Sequence, residues 1–185
     1  MSLLQLFALR RRYFVLALVV LMLDQTTKIL AHAYLSTRGQ LTIVPDLFAL
    51  TYSRNPGGLF GYFAQLGQPW RFVLLTALPL AAVGLIVAFL VSSGATDRLT
   101  RLALSLILGG ALGNLIDRLV RGEVVDFLDV YIGGGRVADW LVTRFGTAHW
   151  PTFNVADSAI VVGACLLLLD MFRSRSAPAP ETSRR

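Results

Sequence analysis

Four stretches of this chain, residues 13–31, 71–91, 99–119 and 156–172, are long and apolar enough to cross a bilayer, and they dominate what the chain can become. Lipid offers no partners to backbone N–H and C=O groups, so a spanning segment satisfies them internally as a helix of about 20 residues. The last stretch is near the lower limit, which fits a helix whose polar start lies close to the membrane surface. The composition agrees: 55% of the 185 residues are hydrophobic and 15% charged, too apolar for an ordinary soluble domain. The expected fold is an all-α membrane protein, four transmembrane helices with a small extracytoplasmic β-rich loop region. It forms a single membrane domain over residues 1–175. Residues 176–185, rich in Ser, Pro and charge, read as a disordered cytoplasmic tail.

The net charge of +6 does not point to nucleic acid, because the arginines cluster beside apolar runs and form no aromatic-interleaved basic face. Arg10, Arg11 and Arg12 precede the first stretch, Arg98 and Arg101 follow the second, and Arg173 and Arg175 follow the fourth. The positive-inside rule then puts both termini in the cytoplasm and the connections 32–70 and 120–155 outside. Arg118, Arg121, Arg136 and Arg144 oppose that bias and call for acidic partners. The first stretch imitates a signal peptide, but Asp24, Lys28 and the lack of a small-residue cleavage site mark it as a retained helix. Cys165 is the lone cysteine, which excludes an intramolecular disulfide, and it reads as a small buried packing residue. In the first outer loop, β-branched and aromatic residues punctuated by Pro45, Pro56 and Gly57 predict short strands and a tight turn. Tyr52, Phe60, Tyr62, Phe63 and Trp70 suit an aromatic belt at headgroup level.

The polar residues at the outer ends of the helices carry the chemistry. An intramembrane carboxylate costs about 2.5 kcal/mol or more to keep, so a functional role is the default reading. Asp126 lies in a strand-like VVDFLDV, sharing one side with Val124 and Leu128, while Asp129 points the other way and reads as solvated. Desolvation raises the pKa of Asp126, and a neighbouring carboxylate raises it further. Asp157 follows Asn154 by three residues at a helix start, as in a capping box, where the helix N-terminus favours its negative charge. If the two aspartates meet, the ionised one activates water and the protonated one donates to a carbonyl, the logic of an aspartic peptidase. The plainer readings are a helix cap for Asp157 and structural charge compensation elsewhere. Asp24 precedes Lys28 by four residues, the favourable order for an ion pair, with Lys28 snorkelling outward. Asn114, Asp117 and Arg118 share one helix face, with Asp117 and Arg118 as a self-neutralising pair, below a stripe of Gly109, Gly110 and Gly113 that admits close helix packing. His32 and His149 lack zinc-site spacing, and no GxSxG occurs, so neither a metal site nor a serine nucleophile is expected. The rival reading is a small proton-coupled transporter or channel, which usually places its site near the midplane between repeated halves. Here the polar groups gather at one end and no repeat is visible.

Taken in order, DQTTK at 24–28, NPGGLFG at 55–61, GNLIDR at 113–118, VVDF at 124–127 and FNVADSAI at 153–160 resemble the lipoprotein signal peptidases, or signal peptidase II. The resemblance implies a four-helix membrane aspartic peptidase of the bacterial plasma (inner) membrane. Asp126 and Asp157 would be its catalytic dyad, and Asn55, Gly57, Asn114, Arg118, Asn154 and Ala156 would shape the site or contact substrate. Asp24, Lys28 and Asp117 would be supporting polar residues. The implied partners are diacylglyceryl-modified prolipoproteins, cut just before the lipidated cysteine, and membrane phospholipid. No metal or organic cofactor is implied, and no oligomer is predicted. Two departures stand out: Leu59 replaces the usual alanine, and the segment 128–150 is long, which suggests a lid hinged at glycines 133–135.

Overall fold

The computed structural model describes residues 3–57, 63, 65–67, 69–92 and 97–175; Leu59, Phe60, Tyr62 and the tail from 176 lie outside the described residues. Helix α1 (Leu3–Leu35) leads into strands β1 (Leu41–Val44) and β2 (Phe48–Asn55). Helix α2 (Trp70–Val91) and helix α3 (Arg98–Val120) follow. Strand β3 (Val124–Val130), helix α4 (Gly135–Phe145) and helix α5 (Val155–Arg175) complete the order. Among the described residues, α1, α2, α3 and α5 are the four helices long and apolar enough to cross a membrane. Their outward faces carry exposed Leu18, Met22, Leu85, Val161 and Leu168, which find their apolar partner in lipid.

α3 is the central helix, and glycine is what lets its neighbours approach. A Cβ on Gly109 would meet Val20 of α1 at 2.7 Å, one on Gly110 would collide with the Ala156 carbonyl of α5, and one on Gly163 would meet Ala103 O at 2.7 Å. Each of the three faces a backbone carbonyl that cannot rotate away, for Gly109 that of Ala17 at 2.6 Å. Gly110→Ala is therefore expected to part α3 from α5 at a cost of about 2 kcal/mol, read as thermal unfolding in detergent. Gly84→Ala, where nothing lies within 4 Å, is the control and should be neutral or better. Cys165 follows Gly163 by two residues, which turns it to the opposite side of α5, and it is exposed to lipid instead of buried. Within α2, residues Val73–Ala77 form a π-helical turn. Pro79 lacks an N–H and its ring crowds the Leu75 carbonyl, which widens the turn before it.

α1, about 50 Å long at 1.5 Å per residue, outruns the bilayer core, and its Ala31 and Leu35 pack against Phe127 to carry the sheet. The sheet is antiparallel in the order β1-β2-β3. Pro45 and Asp46 make the β1–β2 turn, closed by Leu47 N–H to Val44 O at 3.2 Å, with Asp46 at φ 61°. The outer edge of β3 is not bare, since Leu128 N–H donates to Phe153 O at 2.9 Å and Trp150 N–H to Val130 O at 2.8 Å. Both faces of β3 are covered as well, so the alternation expected of a half-solvated strand fails. Asp129 is buried and takes His149 Nδ1 at 2.9 Å, with His149 stacked on Tyr131. The long segment after β3 folds into α4. Gly133 is pinned there, its N–H on Asp46 O at 2.9 Å and its Cα facing the Asp46 backbone, which argues against free hinging at that position.

Candidate active site

The site has two tiers. In the lower one, fully buried Lys28 spends its three protons on Asp24 Oδ2, Asp117 Oδ2 and Asn114 Oδ1, each at 2.9 Å. With three acceptors around it, Lys28 has no reason to snorkel and does not. Asp24 Oδ1 accepts the Ala156 N–H at 2.9 Å, satisfying a donor that the first turn of α5 leaves free. Asp117 Oδ2 accepts the Val125 N–H at 3.2 Å, tying α3 to the start of β3. Its arginine partner is Arg121, the C-cap residue of α3, not Arg118. Residues four apart share a helix face, whereas adjacent ones diverge. Two carboxylates and two cations leave this tier neutral.

The upper tier holds Asp126 and Asp157, which Asn154 joins. The Asn154 side-chain amide donates to Asp126 Oδ1 at 2.7 Å, and its backbone N–H donates to Asp157 Oδ2 at 3.2 Å. Asp157 N–H returns a bond to Asn154 Oδ1 at 2.9 Å, completing the capping box at the head of α5. Asn114 Nδ2 donates to Asp157 Oδ1 at 2.7 Å, and Asn55 Nδ2 to Asp126 Oδ2 at 3.1 Å. Every carboxylate oxygen thus has a neutral donor. Arg118 lies within electrostatic reach of both aspartates. Gly57 N–H closes a turn on Asn55 Oδ1 at 3.1 Å, and buried Ala156 packs beneath Asp157 against Gly113.

Asn55 reaches Asp126 because β2 is bulged. Leu50 pairs with Leu128 but Ser53 pairs with Asp126, so β2 carries one extra residue between them. Paired residues share a face, and the shift moves Asn55 opposite Val124, onto the face of Asp126. Burial, foremost, and then the charge of Asp157 push the Asp126 carboxyl from 3.8 up to about 6, against the pull of Asn55, Asn154 and Lys28. All eleven residues singled out from the sequence meet in these two tiers. Gln25 is a twelfth that sequence reasoning missed: its amide nitrogen reaches Asp117 Oδ1 and Asp24 Oδ2, both at 3.2 Å, and Gly113 O at 3.1 Å. A glutamine beside Asp24 in an apolar helix is the signal that could have found it.

Residues 16–173 match the family described as signal peptidase (SPase) II. The chain belongs to that family. A lipoprotein signal peptidase of Syntrophus aciditrophicus (strain SB) is 39% identical over 163 residues, covering 88% of this chain and 93% of its own. Another, from Burkholderia mallei (strain SAVP1), is 44% identical over 162 residues, covering 85% and 86%. A solved bacterial membrane enzyme superposes with a TM-score of 0.74 at 25% identity, covering 94% of both chains. For this signal peptidase II chain the transporter reading falls away, and the paired carboxyls stand in a peptidase.

Proposed function

We propose that Asp126 and Asp157 are the catalytic pair of this aspartic peptidase, which removes signal peptides from prolipoproteins. The observation that carries the reading is Asn154 holding one carboxyl with its side chain and the other with its backbone. Asp157, at a helix N-terminus, is the ionised partner that takes a proton from water. Asp126, proton retained by its surroundings, donates to the carbonyl oxygen of the scissile bond, so the two grip one amide from opposite sides. That bond immediately precedes the diacylglyceryl-modified cysteine. The acyl chains stay in the bilayer while the signal-peptide helix enters sideways against the apolar bundle. The enzyme sits in the bacterial plasma membrane as one membrane domain, termini in the cytoplasm and carboxyls near the extracytoplasmic face, in keeping with Arg10–Arg12 and Arg173 at one end. Asn55, Asn114, Arg118 and Asn154 shape the site, Gly57 and Ala156 leave room in it, and Asp24, Lys28 and Asp117 hold it up.

The test is cleavage of a diacylglyceryl-modified prolipoprotein by purified enzyme, wild type against Asp126→Asn and Asp157→Asn; full activity in either folded variant refutes its assignment. The titration of Asp126 adds a second expectation. Below 3.8 the carboxyl is neutral in folded and unfolded chain alike, and between there and about 6 only the unfolded chain gives up its proton. Folding stability therefore falls as pH rises through that window, by about 3 kcal/mol in all, and is flat above it. With Asp126 as proton donor, kcat/KM falls only on the alkaline side of about 6, where the stability curve is already flat. Unfolding midpoints and kcat/KM across pH check both, and Asp126→Asn should lack the stability slope.

A further inference from the structure

On the face of the sheet turned away from Asp126, a cavity of about 300 Å³ opens between α1, β2 and the turn into β3. Ile29, His32, Tyr52, Arg54, Arg121 and Glu123 line it. Val125 forms its floor, and Val125 pairs with Arg54 in the sheet, so Arg54 points to this side while Asn55 and Asp126 point to the other. The cavity is thus distinct from the catalytic pair.

Its chemistry is mixed in sign. Arg54 and Arg121 bring two guanidinium groups and Glu123 a carboxylate, with Arg54 within electrostatic reach of Glu123. Arg54 Nε donates to the Tyr52 hydroxyl at 3.2 Å, and His32 Nδ1 lies 3.0 Å from the same oxygen, which steadies the wall. Arg121 is held from below by Asp117 and by Gln25 Oε1 at 3.1 Å, leaving its guanidinium partly exposed. The mouth opens at a definite depth. Exposed side chains on α1 are mostly apolar through Met22, Leu23, Ile29 and Leu30, with Thr26 among them, and give way to His32 and the amphipathic Tyr34. That change of character is where acyl chains give way to headgroups.

We propose that this cavity binds the headgroup of a zwitterionic phospholipid with a primary ammonium, of the phosphatidylethanolamine type. The phosphate sits on Arg54 and Arg121, the ammonium on Glu123, and an acyl chain runs down past Ile29. Arginine suits the phosphate because its planar fork matches two oxygens at once. Glu123 sets the selectivity: a purely anionic headgroup leaves it facing like charge, and a trimethylated ammonium offers it no hydrogen bond. Free phosphate meets the same repulsion and forgoes the contact with Ile29.

The experiment measures lipid retention by native mass spectrometry on the full chain in detergent, loaded with equal amounts of phosphatidylethanolamine, phosphatidylcholine and phosphatidylglycerol. The expected result is a preference of about fivefold for phosphatidylethanolamine, lost in Glu123→Gln, while Arg54→Gln weakens all three about fivefold. Both side chains lie outside the catalytic machinery, and unchanged melting temperatures certify the fold of each variant. Equal retention of all three lipids by wild type, a preference for phosphatidylglycerol, or a preference that survives Glu123→Gln would each overturn the proposal. Water-soluble glycerophosphoethanolamine and inorganic phosphate are added as competitors. Displacement by either at the concentration of the lipid removes the acyl contact, and with it the claim of a lipid site.

Discussion

Asp157→Asn and Asp126→Asn are each expected to lower kcat by about 10⁴-fold or more, because members of a catalytic unit act jointly and losing one costs nearly as much as losing all. The variants should differ in their secondary effects. Asp157→Asn keeps a side-chain carbonyl to accept the Asn154 backbone N–H, so the cap on α5 survives, but its new amide nitrogen faces that of Asn114, donor against donor, and the base that takes a proton from water is gone. Asp126→Asn abolishes ionisation and so removes the cost of a buried charge above pH 6, but the amide nitrogen it introduces must face either Asn55 or Asn154, both donors. Single-turnover cleavage of lipidated prolipoprotein, beside unfolding midpoints, separates chemistry from folding. A folded Asp126→Asn enzyme with more than a tenth of wild-type turnover would sink the acid–base assignment.

What the sequence disclosed and what it hid divide along the range of the interactions. Helix position, the Asn154–Asp157 cap and the Asp24–Lys28 pair are matters of spacing within one element, and spacing is written in the chain. The glycine stripe on α3 is legible as a packing surface, though not which helix each glycine admits. Lys28 departs from its expected snorkelling because its acceptors Asp117 and Asn114 come from another helix. Asp129 departs from its expected solvation because burial of β3 depends on residues 149–153 returning along its edge. The bulge that turns Asn55 towards Asp126 leaves no mark in β2 beyond one residue too many, and that surplus is visible only against the partner strand. Asn55 and Asn114 therefore enter the site through family likeness, while their geometric roles emerge only from the folded chain.

Lys28 is where stability and chemistry meet, so Lys28→Met should damage both. It leaves Asp24 and Asp117 buried with one counter-charge fewer, a loss of about 3–5 kcal/mol for a broken buried pair. It also loosens Asn114, whose Oδ1 then keeps only a long bond of 3.3 Å from Asn154 Nδ2. Lys28 Nζ holds Asn114 Oδ1, and that fixes the amide so that Nδ2 faces Asp157. Without the lysine the amide can turn its oxygen towards the carboxylate, exchanging an attraction for a repulsion. Turnover should then fall by about tenfold or more even at temperatures where the variant stays folded. Charge balance supplies the decisive comparison, because adding Asp24→Asn to Lys28→Met leaves Asp117 facing Arg121 alone, and the tier is neutral again. The double variant is expected to recover about half of the lost stability but little of the lost turnover, since Asn114 Oδ1 still lacks its charged donor and keeps only the 3.3 Å bond from Asn154. Stability losses that simply add would show that Lys28 acts there through packing and not through charge.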